Sequence, residues 1–270
     1  MRPARLVGGR EALLSAARPD FSGRPDVLGV FVAGSVAAGT ADPWSDIDLR
    51  VVVTPDRHPW FVEHRHDIPK AWPGFLFNEW LPQAQHCVSH FRPFNKVDVF
   101  YYPVDALHPS PWYALPIRVL HDPSGVVATL LERSRGLRFE IAEAEVDFSI
   151  SKGLAAAHEA FRRACRGELL YAQTLLDEFR QHVMRADDLL FGRTPDVIAG
   201  ARSDQRGNPE VMRALAASFC SADRDAILER VASLAAFYRG QITALHETFD
   251  LRRPLENDLA AVEIVMSGTA

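Results

Sequence analysis

Asp46 and Asp48 stand one residue apart, shortly after a Gly34–Ser35 pair. Side chains in extended chain repeat every two residues, so an Asp-x-Asp in a strand puts both carboxylates on one face. Two like charges side by side are unfavourable until cations neutralise them. Magnesium, a hard cation that binds carboxylates and phosphates together, meets that need. The Gly-Ser pair supplies the other half of the chemistry. A small residue at a tight turn lets main-chain amides and the Ser35 hydroxyl approach an anion closely, and a triphosphate tail is the natural guest. Asp98, in the run KVDVFYY, offers a third carboxylate with the same in-out rhythm.

The elements that must position these groups are legible around them. Leu28 to Ala33 is a β-branched and aromatic run that ends at Gly34, as a buried strand does where the backbone turns. Val36 to Gly39 begins a helix whose N-terminus favours phosphate. Asp42, Pro43 and Trp44 break the pattern, and Asp46 to Val53 then reads as a second strand with Ile47 and Leu49 pointing into the core. Lys96 to Tyr102 is the neighbouring strand expected to carry the third carboxylate. Asp105 follows it too, but beyond Pro103 in a loop, so Asp98 ranks above it. An isolated Asp-Ile-Asp also suits a solvated edge strand; Gly34–Ser35 upstream and Asp98 downstream favour a site.

With Gly34, Ser35, Asp46, Asp48 and Asp98 in place, the chain resembles the nucleotidyltransferase superfamily typified by DNA polymerase β. Its pattern is a Gly-Ser pair, an Asp-x-Asp or Asp-x-Glu, and a later strand carboxylate. The second half of the chain refines the likeness. Twelve of the 18 prolines fall between Pro43 and Pro123 and none between Ser124 and Thr194, so strand and loop give way to helix. Helical spacing predicts helices over Glu140–Arg166 and Glu168–Phe191, an antiparallel hairpin turned at Gly167, and further helices over Pro209–Phe219, Ala222–Phe249 and Leu255–Met266. Ser221 and Asp223 are candidate N-caps, and Thr194 to Asn208 is the long connection. The plan is α+β: an N-terminal nucleotidyltransferase lobe, a mixed sheet flanked by helices over 1–134, and a C-terminal helical bundle over 135–270.

That layout is similar to the antibiotic nucleotidyltransferases of the lincosamide and aminoglycoside type, in which the bundle lines the acceptor cleft. The resemblance implies transfer of a nucleoside monophosphate, AMP in the first instance, from a nucleoside triphosphate to a hydroxyl of a small molecule. It implies two magnesium ions about 4 Å apart. Asp46 and Asp48 would bridge both ions. Asp98 would ligate the ion that activates the hydroxyl, and could also accept its proton. Gly34 and Ser35 would hold the β and γ phosphates, with Lys152 on the first long helix reaching them. The family often carries an acidic residue on that helix to bind or deprotonate the acceptor, and here several compete: Glu143, Glu145, Asp147 and Glu159. They suit a cationic acceptor and equally a solvated face. A protein-modifying or antitoxin relative, with a Ser, Thr or Tyr acceptor, remains the alternative. A third reading takes Arg239 and His246, spaced as in small helical ribonucleases, as an RNA-cleaving pair.

Composition narrows the partners. With 270 residues, 47% of them hydrophobic, the chain can bury one large core or two modest ones, and two lobes are expected. A net charge of −5 argues against long nucleic acid, which needs a basic track. Cys87, Cys165 and Cys220 lie far apart, without zinc or disulfide spacing, and the reducing cytoplasm is the default. The N-terminal residues form an amphipathic helix from about Gly9, with no apolar run fit for export or for spanning a bilayer, so no membrane partner is expected. The protein is expected as a monomer or homodimer. His64 and His66 have no metal-site spacing. Trp60, Trp72, Phe75, Phe77 and Trp80 crowd the insertion between the carboxylate strands, where they either wall the acceptor pocket or pack the core.

Overall fold

A computed structural model describes residues 3–193 and 202–268. The chain divides into two compact units, Met1–Arg138 and Phe139–Ala270.

The first unit begins with α1 (Pro3–Ser22), β1 (Val27–Ala33), α2 (Gly34–Ala38), β2 (Ile47–Val53) and α3 (His58–Glu63). It continues through β3 (Phe75–Asn78), β4 (His86–Phe91), β5 (Asn95–Pro103), β6 (Arg118–His121) and α4 (Val126–Ser134). The strands form one mixed sheet in the order β3-β4-β5-β2-β1-β6, in which β2 and β5 run parallel and the other pairs antiparallel. Strand alternation then sorts the side chains. Val30, Val32, Ile47, Leu49, Val97 and Val99 bury one face with Leu13 and Phe21 of α1 and Phe61 of α3. Each fully buried aliphatic or aromatic side chain contributes about 1.5–3 kcal/mol. On the opposite face Phe31, Val52 and Val127 form a smaller cluster. It covers only part of that face, and Asp48, Arg50, Lys96 and Asp98 stay half-buried there.

The predicted strands are each present within one residue of their expected ends. The N-terminal helix starts at Pro3 rather than near Gly9. β3, β4 and β6 come from segments with no clear strand signal. Trp72, expected either to wall a pocket or to pack, is only 4% exposed and donates from Nε1 to Asp20 Oδ2 at 3.1 Å. Trp80 and Phe77 are exposed.

The second unit contains α5 (Glu143–Cys165), α6 (Leu169–Leu190), α7 (Ser203–Arg206), α8 (Pro209–Ala217), α9 (Arg224–Thr248) and α10 (Leu255–Ser267). Gly167, at φ 78°, makes the left-handed turn between α5 and α6, and a Glu145–Arg185 pair closes the far end of an antiparallel hairpin. Val146, Ile150, Phe179, Val183, Ile227, Tyr238 and Ile242 belong to one shared core. Asp223 caps α9 by accepting from the Ala226 amide at 3.0 Å, so the cap is Asp223 and not Ser221. Most of the connection expected over Thr194–Asn208 lies outside the described residues; its last part forms α7. Among the described residues no helix is long and apolar enough to cross a membrane.

Candidate functional site

Gly34 ends β1 at φ 65°, a conformation that favours glycine. A Cβ at that position would collide with Asp48 Oδ2. The glycine therefore serves two needs at once, the turn and the close approach of the next strand's carboxylate. Ser35 follows in the single turn of α2, and its carbonyl accepts from Thr40 N at 3.0 Å, folding the loop back.

The break expected at Asp42–Trp44 is an ordered turn. Asp42 Oδ1 accepts from Trp44 N at 2.8 Å and from Ser45 Oγ at 3.1 Å, and Asp42 N donates to Ser45 Oγ at 3.0 Å. Arg10 of α1 anchors it by donating from Nη1 to the Asp42 carbonyl at 2.6 Å. This turn delivers Asp46 to the start of β2.

Ala33 lies opposite Asp48, and Asp48 lies opposite Asp98 across the parallel β2–β5 pair. Gly34, Asp46, Asp48 and Asp98 thus meet at one end of the sheet face. Two cations already stand among them. Lys96 Nζ is 2.9 Å from Asp46 Oδ2 and 3.2 Å from Asp98 Oδ2, and Arg50 Nη2 is 3.6 Å from Asp48 Oδ1. Burial pushes the Asp98 carboxyl above the usual carboxylate range, against the downward pull of Lys96. Burial acts on Lys96 in the lowering direction, but Asp46 and Asp98 outweigh it and hold the ammonium above its ordinary value. Asp98 Oδ1 is buried with no hydrogen-bond partner.

Among the described residues, no group of three or more His, Cys, Asp or Glu side chains is drawn together to hold a metal ion. The Lys96 ammonium stands between Asp46 and Asp98, where a chelated cation would stand. The donors still fit a divalent ion. They are hard carboxylate oxygens on one face, and one of them, Asp98 Oδ1, is desolvated and lacks a partner.

Lys96 and Arg50 were not singled out from the sequence, although period two places Lys96 with Asp98 and Arg50 with Asp48. Phe100 shares that parity. Its ring carries the Arg50 guanidinium at 3.9 Å and a stacked His86 ring at 4.7 Å, which stiffens Arg50 beside Asp48. Lys152 is exposed on α5 of the second unit. The acidic residues of α5 are partly spoken for: Glu145 pairs with Arg185, and Glu159 with Arg162 and Arg163. Arg239 reaches Glu263 at 3.8 Å and His246 meets Asp258 at 3.0 Å, so both tie α9 to α10.

Residues 14–74, which include Gly34, Ser35, Asp46 and Asp48, match the family model of the nucleotidyltransferase domain. That segment of the chain is nucleotidyltransferase-like. Asp98 lies beyond the matched segment and is brought beside Asp48 by the β2–β5 pairing. A search of curated protein sequences finds no match. Two solved structures are similar. The first is an aminoglycoside 6-adenyltransferase from Bacillus subtilis, 12% identical, with a TM-score of 0.45 over 95% of this chain and 97% of that one. The second is a nucleotidyltransferase-like protein from Exiguobacterium sibiricum, 13% identical, with a TM-score of 0.43 over 96% of this chain and 91% of that one. Both likenesses are distant.

Proposed function

We propose that this nucleotidyltransferase moves a nucleoside monophosphate, AMP in the first instance, from a nucleoside triphosphate to a hydroxyl of a small molecule. The observation that carries the reading is the convergence of Gly34, Asp46, Asp48 and Asp98 at one end of the sheet, in a domain matched by the nucleotidyltransferase family model. The acceptor oxygen forms a bond to the α-phosphorus, the bond to the β-phosphate bridging oxygen breaks, and pyrophosphate leaves. The acceptor proton passes to a carboxylate oxygen, and Asp98 Oδ1, which has no hydrogen-bond partner, is one such oxygen on this face. Main-chain amides at Gly34 and the Ser35 hydroxyl bind the β and γ phosphates. Asp46, Asp48 and Asp98 are the residues that would hold magnesium, whose chemistry there is neutralisation of charge on the triphosphate. Lys152 is proposed as a further phosphate contact.

A hydroxylated antibiotic of the lincosamide or aminoglycoside type is the proposed acceptor, on the strength of the two-part layout. The internal pairing of Glu145 and Glu159 leaves less free negative charge on α5 for a cationic drug. The net charge of −5 supports a small acceptor over long nucleic acid.

The test is incubation with magnesium, each of the four ribonucleoside triphosphates and a panel of both antibiotic classes, read by mass spectrometry. A gain of one nucleotide on a drug, lost in Asp46→Ala, is expected. A nucleotide found only on protein would move the acceptor to a Ser, Thr or Tyr side chain. No transfer to anything, from protein that binds no magnesium nucleotide, would overturn the reading.

A further inference from the structure

The three carboxylates are served by two cations of the protein's own. Lys96 spans Asp46 and Asp98 at 2.9 and 3.2 Å, and Arg50 stands 3.6 Å from Asp48. Three carboxylates set against one ammonium and one guanidinium leave a single net negative charge, too little to hold two free divalent ions strongly. The two cations differ in freedom. Arg50 is pinned by the Phe100 ring, with His86 stacked on that ring in turn. Lys96 has a flexible four-carbon stem and a compact, strongly hydrated head, and it lies 30% exposed at the rim of the set. A divalent ion drawn between Asp46 Oδ2 and Asp98 Oδ2 would occupy the space that the ammonium now fills.

We propose that Lys96 is a resident counter-ion that a divalent metal must displace from Asp46 and Asp98. The inference rests on the carboxylates being the metal ligands of the proposed reaction. It goes beyond that reading in assigning Lys96 a role and an order of events. Without nucleotide the ammonium holds the carboxylates together and keeps the affinity for free metal low. With a magnesium triphosphate, the added negative charge of the phosphates favours metal at the carboxylates and gives the released ammonium a new anionic partner.

The test uses the full-length protein without nucleotide, and Mn2+ as the probe. Free Mn2+ is followed by electron paramagnetic resonance in wild type, Lys96→Met, Lys96→Gln and Lys96→Arg, with circular dichroism to establish that each folds. Removing the two half-exposed ion pairs should tighten Mn2+ binding about tenfold in Lys96→Met and Lys96→Gln, while Lys96→Arg stays near wild type. A second readout needs no variant. Labelling of Lys96 in wild type by a water-soluble amine reagent, read by peptide mass spectrometry, should rise along the Mn2+ binding curve. Unchanged or weaker Mn2+ binding in both neutral variants overturns the proposal, as does Lys96 labelling that ignores saturating Mn2+. If either occurs while wild type still transfers nucleotide, the counter-ion role alone falls. If no form binds Mn2+ and none transfers nucleotide, the proposed function falls with it.

Discussion

Gly34 couples backbone conformation to the position of a carboxylate, and a single methyl group would separate the two. In Gly34→Ala the left-handed conformation costs about 1 kcal/mol, and the new Cβ must push Asp48 away. The expected result is a folded protein with a small loss of thermal stability and nucleotide transfer down by about a hundredfold, because misplacing a group by about 1 Å costs that much. Equal losses in stability and rate would place the glycine in the turn alone. Asp46, Asp48 and Asp98 were legible in the sequence because charge interrupts an apolar strand at period two. Lys96 has the same parity but no distinguishing signal, since a lysine at a strand end looks solvated until the partner strand is known. The pairing that puts Asp46 within its reach is a tertiary fact.

The turn at Asp42–Ser45 looks like a simple break in the sequence, yet it is what delivers Asp46. Asp42→Ala removes two hydrogen bonds to Asp42 Oδ1 at a cost of about 1 kcal/mol in an exposed turn. The expected outcome is a minor drop in melting temperature and a larger drop in transfer rate, with Mn2+ binding weakened in parallel. In the second unit Gly153 lies against Tyr238, whose hydroxyl would be 2.7 Å from a Cβ there. Gly153→Ala therefore overpacks a core contact of α5 with α9 and should destabilise by about 1–3 kcal/mol, measured by urea denaturation. The long helices were legible to within a few residues because their apolar period, the Asp223 cap and the Gly167 turn all agree. β3, β4 and β6 were not. They have four, six and four residues, and histidine, serine and asparagine interleave their apolar positions, so pairing with neighbours decides their state more than propensity does.

Each unit has a core of its own, so residues 139–270 expressed alone should give a helical circular dichroism spectrum and a cooperative melt. An unfolded fragment would show that its core is incomplete. That unit also carries a pH dependence. Burial, with Lys152 adding to it and Glu178 opposing, holds His182 below its ordinary value of 6.5. A base with a lowered folded-state pKa binds fewer protons folded than unfolded just below that value. The stability of residues 139–270 should therefore be full above pH 6.5 and fall as the pH drops below it, a slope that His182→Gln should flatten. At the level of the whole chain, division into a sheet half and a helical half was readable from where prolines stop. The acceptor was not, because its recognition depends on surfaces that no local pattern encodes.

The ribbon of β3 and β4 leaves the sheet after β2 and returns beside β5, ending at the sheet's margin. Its tip, residues 79–85, is mostly solvent-facing and includes Trp80, 77% exposed. Foreign sequence spliced there would lengthen an outlying finger without shifting the register of the two strands that bear the acids. That makes the tip a natural grafting point for a reporter.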